Sequence, residues 1–113
     1  MIAVIFEFTP IEGHFADYKA LAEGLADDVN KAEGFISIER FESISTRGKF
    51  VSLSFWRDEE SVRRWREHED HRKAQNVGRN SIFQDYRLRV VSVLRDYGMN
   101  DRGEAPQGSV GGP

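Results

Sequence analysis

The sequence predicts an α+β fold: four strands and two helices in the order β-α-β-β-α-β, with the strands forming one antiparallel sheet. Three observations lead there. Four segments alternate in side-chain character at a period of two, the period of a strand. Two intervening segments repeat apolar residues every three or four positions, the period of a helix. The length, 113 residues, suits one domain.

The first strand is Ile2 to Phe8. Val4, Phe6 and Phe8 share one face, and Ala3, Ile5 and Glu7 the other. β-Branched and aromatic residues favour extended backbone. Thr9-Pro10 is expected to end the strand, because proline cannot donate to a ladder. "IEGH" follows as a loop. His14 to Lys31 reads as a helix: Phe15, Tyr18, Ala22, Leu25 and Val29 form its apolar stripe, and Asp17, Lys19, Glu23 and Asp27 its outer face. Gly34 stands where a helix C-terminal turn needs a left-handed residue.

Phe35 to Ser43 and Lys49 to Trp56 form a hairpin across "ISTRGK", with Gly48 as its left-handed residue. Asp58 is a good N-cap, and Glu59 and Glu60 complement the positive end of the helix that follows. That helix extends to about Gly78. Gln84 to Gly98 reads as a long fourth strand. The domain spans 1–98, and a Gly- and Pro-rich tail, 99–113, lacks the apolar residues to pack alone.

This order is the ferredoxin-like pattern. Right-handed crossovers put both helices on one face of the sheet. The strands are apolar on both faces, however. In the third strand Val51, Leu53 and Phe55 oppose Phe50, Ser52, Ser54 and Trp56; in the fourth, Tyr86, Leu88, Val90 and Leu94 oppose Arg87, Arg89, Val91 and Val93. The face turned away from the helices is expected to carry Ile5, Phe50, Trp56, Val91 and Val93. Leaving such side chains wet forgoes about 1.5–3 kcal/mol for each large one. A second copy meeting this face would bury them, so a homodimer is expected. Glu7, Glu39, Ser52, Ser54, Arg87 and Arg89 on the same face would give the enclosed space polar groups, as a small-molecule pocket has.

Composition excludes several classes. A net charge of -3 and interleaved acids and bases give no stripe for nucleic acid. Without cysteine there is no thiolate nucleophile, iron–sulfur cluster or Cys-type zinc site. "MIAVIFEFTP" is too short for a membrane span and carries Glu7, so no membrane partner and a cytoplasmic location are expected.

The chemistry concentrates in Phe55 to Arg79. At about 100° per residue, Trp65, His68, Arg72 and Gln75 share one arc of the second helix, with His71 at its edge. Trp65 and Trp56 read either as packing or as substrate contacts. His68 and His71 read as solvated, as substrate-binding or general-base groups, or as ligands; a third metal ligand is lacking, so no metal is expected. Glu7, in an apolar strand, must be paired or neutral. It reads as an ion pair with Arg87 or Arg89, or as a tuned base.

The run "SLSFWRDEESVRRWREHEDHR", then "FQDYRLRV", resembles the antibiotic biosynthesis monooxygenase family of the dimeric α+β barrel superfamily. Its mark is a strand ending in Trp (here Trp56), a second Trp nine residues on (Trp65), a His-containing segment and a strand. The resemblance covers about Met1 to Tyr97. It implies a pocket between sheet and helices and, in some members, oxidation of polyphenolic substrates by dioxygen with no cofactor. A related branch opens haem; there, Trp65 matches the tryptophan, Glu7 stands near the asparagine, and the iron-ligand position falls on Gln75, a poor ligand.

The expectation is a cofactor-independent monooxygenase acting on a small aromatic molecule. His68, His71 or Glu7 would be the base, and Trp65, Trp56, Arg89, Gln75 and Ser54 would bind substrate. The alternatives are a non-catalytic dimeric ligand-binding module and a haem protein.

Overall fold

The computed structural model describes residues 1–75 and 82–106, the side chains of 71–75 excepted. The elements are β1 (Ile2–Pro10), α1 (Phe15–Asn30), β2 (Phe35–Glu42), β3 (Phe50–Trp56), α2 (Glu59–Gln75) and β4 (Phe83–Ser92). The four strands form one antiparallel sheet in the order β2-β3-β1-β4. This is the expected ferredoxin-like α+β architecture.

Two strand ends differ from expectation. β1 continues through Pro10, which pairs with Phe83 after a register shift that leaves Gln84 as the extra residue. Proline is tolerated because β3 has already ended opposite Phe8, so β1 is an edge there. β4 stops at Ser92 rather than Gly98. Ser92 pairs with Ile2 and the Val93 N–H donates to the Met1 carbonyl, which closes the ladder with β1.

The register also corrects the faces. Phe8 lies opposite Phe50, Phe6 opposite Ser52, Val4 opposite Ser54 and Ile2 opposite Trp56. Directly opposed residues share a face. Phe50, Ser52, Ser54 and Trp56 therefore lie under the helices with Val4, Phe6 and Phe8. Val51, Leu53 and Phe55 lie on the outer face with Ala3, Ile5 and Glu7. Alternation alone could not orient β3, because both of its faces are apolar enough to serve as core.

The core under the helices falls into two clusters. One gathers Val4, Val29, Trp56 and Val62, with Ile2, Phe35, Ile38, Trp65 and Leu88 packed against it. The other gathers Phe8, Tyr18 and Ile82, with Phe6, Leu21, Ala22, Phe50 and Phe83. α1 bridges them through Tyr18 at one end and Val29 at the other. Each buried large side chain stabilises by about 1.5–3 kcal/mol. Trp56 and Phe8 are the largest that are fully buried. The Trp56 indole N–H donates to Ser54 Oγ at 2.9 Å, so the ring is buried without an orphaned donor.

The start of α2 is fixed by two local devices. Asp58 Oδ1 accepts from the Ser61 backbone N–H at 2.8 Å and from its hydroxyl at 2.7 Å, an N-cap bond that satisfies a free helix donor. Gly34 has φ +81°, and a Cβ there would sit 2.1 Å from Ser61 Oγ. Only glycine allows both that backbone and that approach. The Gly34 carbonyl also accepts from the Arg57 N–H at 2.7 Å, tying the start of β2 to the end of β3.

Gly34→Ala should destabilise by about 1–2 kcal/mol from the left-handed backbone alone, with a further loss from displacing Ser61; a lowered urea midpoint measures it. The Asp58 carboxyl is held well below its ordinary value of 3.8 by the Arg57 guanidinium first, then by the Ser61 hydroxyl and N–H. A depressed carboxylate contributes stability above its unfolded pKa and loses it as pH falls through the folded value. Asp58→Asn keeps the cap but should flatten the decline in stability below pH 3.8, read by urea melts across acid pH.

Candidate functional site

Between the two clusters the packing leaves a cavity of about 100 Å³. The sheet supplies its floor through Val4, Phe6, Ile38, Ser52, Ser54 and Leu88. α1 supplies Tyr18, Ala22 and Leu25, and α2 supplies Val62, Trp65, Arg66 and Glu69. The alternation of β3 explains the polar part of the floor: Ser52 and Ser54 are the small residues on its inner face, so the helices do not close on the sheet there.

The aromatic end is a chain of rings. Phe35 meets Trp56 edge-on at 5.3 Å, Trp56 meets Trp65 at 6.2 Å, and Trp65 stacks on His68 at 5.2 Å. Trp56 and Trp65 line the cavity, while His68 lies behind Trp65 on the outside. Its Nε2 is 3.1 Å from Asp28 Oδ2 and its side chain is 43% exposed. The His68–Asp28 contact clasps α2 to α1 and backs the Trp65 ring.

At the other end the Arg40 Nε–H donates to the Tyr18 hydroxyl at 2.9 Å. On α2, Glu69 lies one turn beyond Trp65, so both side chains fall on the inner face. Glu69 is 20% exposed and lies 3.5 Å from Arg66 Nη1. A charged pair thus borders a mostly apolar space.

Several expected site residues are elsewhere. Glu7 is on the outer face of the sheet, paired with Arg89 and, at 3.1 Å, with Lys49 Nζ. Its carboxyl is held below the usual range by Lys49 first, against some desolvation, and then by Arg89. That is the ion-pair reading of Glu7, and Arg89 is occupied by it. Neither reaches the cavity. Of the expected binding residues, Trp65, Trp56 and Ser54 line it. The side chains of His71 and Gln75 lie outside the described residues. Sequence reasoning missed Tyr18, Arg40, Arg66 and Glu69; it gave Ser52 to the pocket but put it on the outer face, whereas the register sets it under the helices. Glu69 was legible from its spacing to Trp65, and Arg40 from its place beside Ile38 on one face of β2.

Haem has a poor fit among the described residues. Nε2 of His68 faces Asp28 and Nδ1 of His14 faces Asp17. Among the described residues no three His, Cys, Asp or Glu side chains gather as a metal site. No described helix is long and apolar enough to cross a membrane.

The chain is thus a ferredoxin-like domain with a tryptophan-walled cavity under its two helices. The antibiotic biosynthesis monooxygenase model matches residues 1–77, and the chain belongs to that family. It is 42% identical over 101 residues to the jasmonate monooxygenase ABM of Pyricularia oryzae; the match covers 89% of this chain and 47% of that protein, so the chain spans about half the relative's length. The fold is shared with SnoaB, a cofactor-independent oxygenase from Streptomyces nogalater (TM-score 0.67, 12% identity, 84% of this chain and 94% of that one). It is shared too with MhuD, a haem degrader from Mycobacterium tuberculosis (TM-score 0.65, 16% identity, 87% and 100%).

Ser52→Val should fill part of the cavity. Each added methylene-sized group buried there is worth about 0.8 kcal/mol, so thermal stability should rise while affinity for any cavity ligand falls. Calorimetry and a ligand titration on one sample check both. Trp56→Ala, by contrast, should cost about 3–5 kcal/mol, read as a lower urea midpoint.

Proposed function

We propose that this protein is a monooxygenase that holds a small, electron-rich aromatic substrate in the cavity between sheet and helices and oxidises it with dioxygen. The observation that carries the reading is the cavity itself, with two indoles and one carboxylate, Glu69, on its wall. The rings of Trp56 and Trp65 give an aromatic substrate stacking surface. Glu69 accepts the proton of a phenol or of an activated CH₂ group, in the role sequence reasoning gave to His68, His71 or Glu7. His68 holds Trp65 in place from behind.

In a site shielded from water the substrate anion is poorly solvated, and charge interactions are stronger. The anion gives one electron to dioxygen, and the radical pair recombines to a peroxide on carbon. Loss of water then leaves a carbonyl. The balance is one CH₂ and one O₂ giving one C=O and one H₂O; the CH₂ carbon supplies all four electrons that dioxygen takes up, so the step calls for no external reductant.

The outer face supports a homodimer. Members of this family typically pair. Ile5, Val51, Leu53 and Phe55 form an apolar strip around the Glu7–Lys49–Arg89 cluster, with Phe41 45% exposed and Val91 36% exposed at its margins. A second copy covering this strip removes the apolar surface from water.

Oxygen uptake with 4-hydroxyphenylacetate, an electron-rich ring with a benzylic CH₂, tests the activity, with dithranol, a hydroxylated anthrone, as a second substrate. Uptake should exceed the enzyme-free rate, and Glu69→Gln should lower kcat by about 10²–10⁴-fold, the usual worth of a general base. Unchanged kcat in that variant would remove Glu69 from the mechanism, and no uptake with either substrate would favour a binding module. A Soret shift on adding haemin would favour the haem reading. Sedimentation should show a dimer at micromolar concentration, and Leu53→Asp should convert it to monomer.

A further inference from the structure

The cavity has a continuation. A larger groove of about 460 Å³ runs between α1 and the β2 edge, lined by Phe8, Phe15, Lys19, Phe41 and Phe50 among others. The two spaces share three residues, Tyr18, Ala22 and Arg40. Arg40 and Tyr18 thus stand at the junction between an inner apolar chamber and an outer apolar groove.

Arg40, like Arg87 and Arg95, has no carboxylate at ion-pair distance among the described residues, and of these three it alone lines the cavity. Arg47, Arg57, Arg63, Arg64, Arg66 and Arg89 each lie at ion-pair distance from a carboxylate. Arg40 meets none among the described residues. Its Nε–H is taken by the Tyr18 hydroxyl, and its guanidinium carbon lies 6.0 Å from the Tyr18 ring centre. Glu42, two residues along the same face of β2, is turned instead to Arg47 and to the Gly48 N–H. The groove's remaining charges, Lys19 and Glu23, offset one another. Tyr18 fixes the guanidinium by one edge and leaves its two terminal nitrogens for another partner. A fixed guanidinium fork between two apolar spaces matches a carboxylate bidentately.

We propose that Arg40, positioned by Tyr18, is the anion-recognition residue of this site, and that the ligand is a small monocarboxylic acid with an apolar, ring-sized body. The body fills the chamber beside Trp56 and Trp65, and the carboxylate binds Arg40 at its mouth. The inference rests on reading the cavity as the substrate site, and it adds the charge of the substrate and the residue that selects it.

The test is an NMR titration of the intact chain at neutral pH with phenylbutyrate and with phenylbutanol, which differ only in the charged end. The acid should bind about five- to tenfold more tightly than the alcohol, as a charge-assisted pair in a half-open site would give. Its shifts should centre on Tyr18, Ala22 and Arg40. Arg40→Gln should abolish the preference and leave alcohol binding unchanged, and Arg40→Lys should retain part of it. Tyr18→Phe, which keeps the packing, should weaken the acid alone; this variant carries the test if Arg40→Gln does not fold. Equal affinities, no binding of either compound, or a preference that survives both substitutions would overturn the proposal. Oxygen uptake is read separately. A preserved acid preference without turnover sinks the oxygenase reading alone, and turnover without the preference sinks this one alone.

Discussion

The molecule is organised around the burial of Trp56. Its indole is 1% exposed and sits at the end of β3, where it meets Phe35 from β2, Trp65 from α2 and the cluster that includes Val29 of α1. A ring of that size under the helices requires its N–H to be satisfied, and Ser54, two residues back on the same face, does this. The same serine is too small to fill the space above it. One interaction therefore holds the sheet to both helices and keeps the chamber beside it open. The capping of α2 by Asp58 and the close approach of Gly34 to Ser61 then fix where Trp65 stands.

Element order was legible in the sequence because it depends on local periodicity, and local periodicity is strong here. The left-handed turns at Gly34 and Gly48 were legible for the same reason: only glycine takes φ of +81° and +84° without strain. The inner face of β3 was not. Val51, Leu53 and Phe55 look more like a core than Phe50, Ser52, Ser54 and Trp56 do, and a single strand carries no mark of which side the helices will take. That choice is made by register with β1, a property of two strands at once. A one-residue difference exchanges the faces completely, so the space that the strand faces put on the outer side lies instead under the helices, where the family resemblance implies it.

The site residues divide along the same line. Trp65 was legible as an indole on a charged helix, which solvation does not explain. Glu7 drew attention as a carboxylate in an apolar strand, but the anomaly is resolved on the outer face by Lys49 and Arg89. Glu69 and Arg40 were obscured by the opposite effect. Each sits in a segment crowded with charge, where composition reads as a wet surface, and only their spacing to Trp65 and Ile38 marked them.

The chamber has a thermodynamic cost that bears on its meaning. Its apolar walls forgo the packing contacts that a filled core would give them, and domains of this size are stable by only about 5–15 kcal/mol. A valine at Ser52 would recover some of those contacts without disturbing the strand, since β-branched residues favour extended backbone. The sequence instead keeps two serines on that floor and brings indoles, a carboxylate and a guanidinium to its edge. A core selected for stability alone would close this space. One that must admit a ligand has to leave it open and place there the few polar groups that orient what enters.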